Sequence, residues 1–192
     1  MLLAMSVILI PYQRDYLELL YEWRKDAVVR QYNPVDDLSV MELHERYAAA
    51  RSSFADFSNA VQFFWLLYTG DSIVGNISLK DINRRMLTAE IAYSIAPEAR
   101  GNGYATAAVR LVTQRAFTES PLRRLIAYVH EDNVASQRVL AKVGYTPEGV
   151  LREHYIVNGN PVNEIIYVWV ANSKLRRFFA ILARSDSSIT KI

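Results

Sequence analysis

The 192-residue sequence contains no cysteine at all. This absence excludes disulfide-stapled folds, thiolate zinc sites, iron–sulfur clusters and every mechanism that needs a cysteine nucleophile. Histidine is scarce as well. His44, His130 and His154 are scattered along the chain and never stand four residues apart, so the sequence predicts no histidine metal site.

Long hydrophobic runs are also missing, and none approaches the ~20 residues that a membrane-spanning helix needs. The apolar opening MLLAMSVILI lacks the basic segment and the small-residue cleavage site of a signal peptide. We therefore expect a first β-strand there, with Met5 as an alternative start, and a cytoplasmic protein. The 7 glycines and 6 prolines are too few for a fibrous or low-complexity chain.

The charges give no sign of a nucleic-acid partner. The chain has 22 basic and 20 acidic residues, a formal net charge of +2, and the two signs are mostly interspersed. A nucleic-acid module would normally carry a basic stripe. The basic excess of the C-terminal tail is interpreted as a solvated helix face. With 51% hydrophobic residues, the chain has the length and composition of one globular domain.

The hydrophobic periodicity predicts a mixed α/β (α+β) fold without linkers or repeats. The domain covers 1–172, and a C-terminal helix with a tail over 173–192 belongs to it. Strands are expected over 6–10, 62–68, 73–79, 88–96, 124–130, 155–157 and 164–170. Helices are expected over 14–30, from a cap at Ser39, from Tyr104 to about Thr118, over 134–143 between Asn133 and Gly144, and over 173–183.

The most informative segment is 94–105, where a strand, a glycine-bearing loop and a helix start follow one another. Glycine lets the backbone approach a ligand, and a helix start presents unpaired N–H groups with a partial positive charge. Together they predict an anion site suited to phosphate, to which Arg100 could add a charged hydrogen bond. The spacing alone also fits an ordinary loop. It is neither a Walker loop nor a dinucleotide fingerprint.

Two motifs resemble the GNAT superfamily of N-acetyltransferases. Residues 100–105, RGNGYA, fit the pyrophosphate-binding pattern R/Q-x-x-G-x-G/A. Residues 133–145, NVASQRVLAKVGY, are similar to the N-x-x-S segment of the branch that contains the ribosomal-protein N-terminal (alanine/serine) acetyltransferases. The resemblance extends over roughly 6–172 and is strongest from 88 to 170.

The resemblance implies a single domain with a mixed, mostly antiparallel sheet of about seven strands and helices on both faces. The sheet splays between strands 4 and 5, and acetyl-CoA lies in the gap as co-substrate, with no metal. The pyrophosphate would meet the loop amides, and the pantetheine would meet the end of strand 4. The expected cofactor-binding residues are Ile95, Ala96, Arg100, Gly101, Asn102, Gly103, Tyr104, Ala105, Asn133 and Ser136.

The expected catalytic residues are Glu90 and Ser136. Glu90 matches the glutamate that many members carry on strand 4, where it serves as the base that deprotonates the amine; a structural ion pair is the alternative. Many members also carry a tyrosine acid on the later helix, but that position is Leu140 here. Ser136 could instead donate a hydrogen bond to the leaving thiolate, or merely bond to local backbone. Asn133 is a helix cap that could also touch the ligand.

The resemblance predicts transfer of an acetyl group to a primary amine, preferably a protein or peptide α-amine. A small amine, such as a polyamine, amino sugar or antibiotic, and a non-catalytic acyl-CoA sensor are the alternatives. A homodimer is left open, as is the preferred acyl chain. Neither a membrane nor a nucleic acid is expected as partner. We expect the choice of acceptor amine to depend on contacts with Tyr32, Asn33, Asp36, Asp37 and the 154–162 hairpin.

Overall fold

One seven-stranded sheet organises the protein. The computed structural model describes residues 7–32 and 38–171, and within them five α-helices accompany the sheet. The strands are β1 (Ile8–Ile10), β2 (Phe63–Tyr68), β3 (Ile73–Asn83), β4 (Thr88–Ile95), β5 (Arg124–His130), β6 (Thr146–Val157) and β7 (Asn160–Val170). The helices are α1 (Leu17–Lys25), α2 (Ala27–Tyr32), α3 (Val40–Ala48), α4 (Tyr104–Glu119) and α5 (Val134–Val143).

The strand order is β1-β2-β3-β4-β5-β7-β6. Neighbouring strands pair antiparallel except for β4 and β5, which are parallel. A parallel pair needs a crossover, and α4 provides it between these two strands. The prediction of a mixed, mostly antiparallel sheet of about seven strands is confirmed.

Helices cover both faces of the sheet. On one face, which we call the α3 face, Tyr47 of α3 stacks on Phe64 of β2 with ring centroids 4.2 Å apart. On the opposite face, the α4 face, Phe117 of α4 stacks on Trp169 of β7 at 4.7 Å. The sheet is therefore the middle layer of the domain, and its apolar side chains are removed from water on both sides.

The predicted helix ends are confirmed at three capping residues. Ser39 and Glu42 form a reciprocal capping box at the start of α3. The side chain of Asn133 accepts a hydrogen bond from the backbone of Ser136 at the start of α5. Gly144 ends α5 with a φ of 105°, in the left-handed region that favours glycine.

The single helix predicted over 14–30 is wrong. Asp26 has an extended ψ of 133° and separates α1 from α2. Its carboxylate accepts hydrogen bonds from the N–H groups of Val28 and Val29, both at 3.1 Å, so it caps α2. An aspartate competes with the helix in this way because its short side chain satisfies the first amides of a new helix.

The last hairpin is longer than the predicted strands 155–157 and 164–170. Its two strands, β6 and β7, run continuously from Thr146 to Val170 around the Asn158-Gly159 turn. The register of β6 shifts at Pro147/Gly149 and again between Leu151 and Tyr155. Each shift interrupts the alternation of inward and outward side chains, which is the only strand signal in the sequence.

The helix predicted over 173–183 lies outside the described residues. Among the helices of 7–32 and 38–171, we find none with the length and apolar character needed to cross a membrane.

Close approach of β3 and β4 depends on Gly75. This residue stands opposite Ile95 at the end of β4. A Cβ added at Gly75 would overlap the carbonyl oxygen of Ser94 and lie 3.1 Å from the Cα of Ile95. Both of these are backbone atoms, so only a backbone shift could relieve the overlap.

We predict that Gly75→Ala lowers the free energy of unfolding by roughly 1–3 kcal/mol, as overpacking does. Thermal denaturation should show a midpoint lower by about 2–4 °C for each kcal/mol. Gly149→Ala is the control because an added Cβ there has no heavy atom within 4 Å. Equal midpoints for the two variants would contradict the assigned packing of β3 against β4.

Candidate active site

A gap opens in the middle of the sheet where β4 and β5 part. The two strands pair only at Thr88–Arg124, Ala89–Leu125 and Glu90–Ile126. Beyond Glu90, β4 continues to Ile95 along β3, while β5 continues to His130 along β7. The carboxyl ends of the two parallel strands therefore separate, and the predicted splay between strands 4 and 5 is present.

Backbone groups of β4 face this gap. The N–H of Ala96 donates to the carbonyl of Val74 on β3 at 2.9 Å. Bonding alternates along an antiparallel pair, so Ile95 turns its own N–H and carbonyl the other way, towards the gap. The carbonyl of Ala96 accepts from the N–H of Ala99, so Ala96 is bonded at both backbone groups. Of the two residues predicted to meet a pantetheine, Ile95 has the N–H aimed at the gap.

The loop after β4 leads into α4 through two glycines in the left-handed region. Gly101 and Gly103 both have φ of +81°, and a Cβ at either would meet no heavy atom within 4 Å. Gly103 precedes α4 without a side-chain cap. The amide of Asn102 donates to the carbonyls of Ala99 and Arg100, which fastens the loop. The first amides of α4 thus open onto an exposed, uncrowded surface that can accept an anion.

Arg100 links this loop to the α1–α2 junction. Its Nη2 lies 2.6 Å from Oδ1 of Asp26, and its Nε donates to the carbonyl of Ile95 at 3.3 Å. The Arg100 guanidinium, together with the two backbone amides that Asp26 caps, holds the pKa of the Asp26 carboxyl below its ordinary value. A guanidinium has five N–H donors, so these two bonds leave donors for a phosphate.

The start of α5 brings Ser136 to the gap. Ser136 lies in the first turn of α5, just after β5 ends at the open edge of the gap. Its Oγ lies 2.8 Å from the hydroxyl of Tyr93 on β4. Tyr93 is largely buried, and this burial raises the pKa of its phenol to about 12 despite the bond to Ser136. The side chain of Ser136 therefore contacts a partner 43 residues away.

Glu90 stands at the point where the gap begins. Its carboxylate lies 2.9 Å from Nζ of Lys80, its cross-strand neighbour on β3. Burial raises the pKa of the Glu90 carboxyl above its ordinary value, and the Lys80 ammonium only partly offsets that effect. The structural ion pair considered for Glu90 is thus present, while the raised pKa is what a proton acceptor near neutral pH requires.

Glu90 and Tyr93 point to opposite faces of the sheet, because side chains alternate along a strand. Glu90 shares the α3 face with Ala92, which is linked through the strand register to Phe64. Tyr93 shares the α4 face with Ala89, and its hydroxyl reaches α5 there. Groups suited to proton acceptance and to hydrogen-bond donation therefore flank the gap from its two sides.

Aromatic rings and one carboxylate line the α3 face near the end of β5. Tyr32 at the end of α2 packs edge-on against His130, with ring centroids 5.5 Å apart. Tyr128 lies 5.8 Å from the ring of His154, and Nδ1 of His154 lies 2.6 Å from Oε2 of Glu164. Tyr32 thus lies against the end of β5, and the 154–162 hairpin reaches β5 through His154, whereas Asn33, Asp36 and Asp37 lie outside the described residues.

Three residues of this site were missed by the sequence analysis: Tyr93, Lys80 and Asp26. Tyr93 was treated as one apolar face residue of a strand, and nothing local separates such a tyrosine from a core aromatic. Nothing in the sequence around Lys80 indicates its contact with Glu90, because that contact depends on the register between β3 and β4. The sequence did contain a signal for Asp26, since aspartate is one of the residues preferred at a helix N-cap.

The arrangement fits an acyl-CoA. The gap offers backbone donors, and the start of α4 offers amides beside open space. Ser136 and Glu90 stand on the two sides of the gap. Within 7–32 and 38–171, no group of three or more His, Asp or Glu side chains is placed to hold a metal ion. A split sheet with a glycine loop at a helix start, a hydroxyl and a buried carboxyl defines a site for acyl transfer from a thioester carrier.

The family comparison agrees with this class. A family model described as an acetyltransferase (GNAT) domain matches residues 6–146. The chain therefore belongs to the GNAT family and is an acetyl-CoA-dependent N-acetyltransferase.

Individual proteins show the same relationship. The chain is 37% identical to the N-acetyltransferase YoaA of Bacillus subtilis (strain 168) over 145 residues, which cover 74% of this chain and 80% of YoaA. The spermidine N-acetyltransferase of Vibrio cholerae, solved with CoA and spermine, superposes with a TM-score of 0.76 at 20% identity, covering 86% of this chain and 95% of that one. The ribosomal-protein α-N-acetyltransferase RimL, solved with coenzyme A, gives 0.75 at 17% identity, covering 87% and 95%.

We predict that Gly103→Asp abolishes acetyl-CoA binding measured by calorimetry. The new carboxylate would stand beside the amides at the α4 start and repel a pyrophosphate. Gly159→Asp is the matched control, because its φ of +79° imposes the same backbone strain in the distant β6–β7 turn. Binding by Gly103→Asp equal to that of the control would show that the loop is not the phosphate site.

Proposed function

We propose that the protein acetylates the α-amine of a peptide or protein N-terminus by direct attack on acetyl-CoA in a ternary complex. The observation that carries this proposal is the placement of Glu90 and Ser136 on opposite sides of the gap between β4 and β5. Acetyl transfer to an amine needs a proton acceptor on the side of the nucleophile and a donor on the side of the leaving sulfur. The two faces of the split sheet provide one of each.

Glu90 takes the proton of the attacking amine. Its buried carboxyl has a raised pKa, which brings it closer to the pKa of an α-amine, about 8. The nearby Lys80 holds the carboxylate in place at 2.9 Å and favours its ionised form. A lysine side chain, with a pKa near 10.4, would demand more from such a base than an α-amine does.

The backbone N–H of Ile95 stabilises the oxyanion. Preorganised donors of this kind commonly supply the largest single contribution to acyl transfer. Acetyl-CoA brings the activated acyl group as a thioester. The first amides of α4, at Tyr104 and Ala105 after Gly103, bind the phosphates, and Asn102 and Arg100 hold the loop. Asn133 caps α5 and fixes the direction of its first turn.

The charges around the gap favour an acceptor with a single amine. The carboxylates of Glu90 and Asp26 each face a charged basic side chain, Lys80 at 2.9 Å and Arg100 at 2.6 Å. A polyamine carries several ammonium groups and is best matched by several carboxylates without such partners. An extended peptide needs only a site for its amine and an exposed surface beside it, and Tyr128 on β5 is 39% exposed.

A small polyamine is the second candidate, because the spermidine N-acetyltransferase of Vibrio cholerae shares the fold. A sensor that binds acyl-CoA without turnover is the third, since Leu140 stands where many members have a tyrosine. The three functions differ in a simple observable, the release of free CoA thiol in the presence of an amine.

We predict that peptides with free α-amines release thiol faster than spermidine, compared by kcat/KM under identical conditions. The matched control for each peptide is its Nα-formylated form, which lacks a nucleophilic amine and should be inert. Faster acetylation of spermidine than of every peptide would reject the α-amine proposal. Acetyl-CoA binding without thiol release on any amine would favour the sensor.

We predict that Glu90→Gln lowers kcat/KM by about 10²–10⁴-fold at pH values above the acidic limb of the parent and well below the pKa of the acceptor amine, since the general base is lost. The deficit should shrink as the pH approaches the pKa of the acceptor amine, because solvent then removes the proton. Lys80→Met is the companion variant. Loss of its ammonium raises the pKa of Glu90 further, so the acidic limb of its pH–rate profile should move to higher pH. Two results together would assign Glu90 a structural role only. These are a loss of kcat/KM in Glu90→Gln that does not depend on pH, and an acidic limb of the pH–rate profile that Lys80→Met leaves unmoved.

A further inference from the structure

The hydrogen bond between Tyr93 and Ser136 joins β4 to the start of α5 across the gap. Tyr93 follows Glu90, the last residue of β4 that pairs with β5, by three positions. Ser136 lies in the first turn of α5 and is fixed there by the cap at Asn133. Leu140, one turn further along α5, is fully buried in the core. Position 140 therefore offers no polar donor, whereas the first turn of α5 offers the hydroxyl of Ser136.

A serine hydroxyl has one hydrogen and two acceptor lone pairs. If Ser136 donates to Tyr93, its single hydrogen is bonded to the phenol oxygen and cannot bond to a ligand. If Tyr93 donates to the Ser136 hydroxyl at 2.8 Å, rather than to the more distant Ser136 carbonyl at 3.4 Å, the serine hydrogen is left to point at a ligand. The pKa of Tyr93, raised to about 12 by burial, keeps the phenol protonated over the working pH range, so it is always able to donate.

We propose that Tyr93 is a positioning residue that donates its phenolic hydrogen bond to Ser136 and thereby aims the serine hydroxyl at the leaving sulfur. This inference rests on the proposed acetyl transfer but not on the identity of the amine. As the carbon–sulfur bond breaks, its electron pair remains on sulfur and the thiolate accepts a hydrogen bond from Ser136. Both hydroxyls keep their protons, and the proton of the amine goes to Glu90.

The chain contains a matched control for this contact. Tyr145 and Thr113 form a second tyrosine–hydroxyl hydrogen bond, also of 2.8 Å, buried between α4 and the end of α5. Tyr145 stands close enough to Tyr93 for the two phenols to interact electrostatically, yet it bonds to Thr113, so removing its phenolic oxygen costs a comparable hydrogen bond in the same region and leaves the Tyr93–Ser136 bond in place. Tyr145→Phe should therefore lower the thermal midpoint and leave both readouts described below as in the parent.

The first readout is the thiol pKa of bound CoA, followed by the ultraviolet absorbance of the thiolate in the CoA complex. A hydrogen bond from Ser136 stabilises the thiolate, so the parent should lower the thiol pKa by about half to one pH unit from its free value near 8.5. Ser136→Ala and Tyr93→Phe should both return it towards the free value. An unchanged thiol pKa in Tyr93→Phe would overturn the inference.

The second readout is a double-mutant cycle in kcat, with acetyl-CoA and whichever amine the parent acetylates. Each single variant should lose about three- to tenfold in kcat with little change in KM for acetyl-CoA. The double variant should be no slower than the slower single, because both changes break one chain of bonds. Losses that multiply would overturn the inference. A wrong choice of acceptor would appear in the amine panel and leave this comparison intact.

Discussion

The parting of β4 and β5 after Glu90 is the constraint on which the rest of the site depends. Three residue pairs hold the parallel strands together. Beyond them, β4 continues along β3 and β5 continues along β7, so the two strands separate. Because β4 loses its neighbour, the N–H of Ile95 is directed into a gap instead of a ladder. Because β5 ends at the same edge, α5 begins beside that gap and presents Ser136 to it. Closing the gap would remove every one of these features.

The same split separates two chemical tasks. Alternation along β4 sends Glu90 to the α3 face and Tyr93 to the α4 face, so a carboxyl and a phenol three residues apart never compete for one proton. Glu90 pairs with Lys80 on its own face, and Tyr93 pairs with Ser136 on the other. Burial raises the pKa of both groups, but with different consequences: it makes the carboxyl a better base and keeps the phenol neutral.

A second link connects the glycine loop after β4 to helices α1 and α2. Asp26 interrupts α1 and α2, caps the latter, and bonds to Arg100 at 2.6 Å. One carboxylate thus sets the angle between two helices and fixes the loop that follows β4. Tyr32, at the far end of α2, reaches His130 at the end of β5. The position of α2 over the end of β5 is therefore tied to the glycine loop before α4 through these contacts.

The sequence by itself determined the local features: β5 and α5 to the residue, the caps at Ser39 and Asn133, and a glycine loop before α4. These depend on residues within a few positions of one another, so periodicity and capping chemistry reveal them. It did not determine the bulged β6 strand, whose register shifts erase the alternating pattern. Only the tertiary structure decided which side chains meet, Tyr93 with Ser136 and Arg100 with Asp26, 43 and 74 residues apart. Such pairs are set by strand register and by the crossover through α4. Both act over long sequence separations, so the residues around each partner contain no signal of the contact.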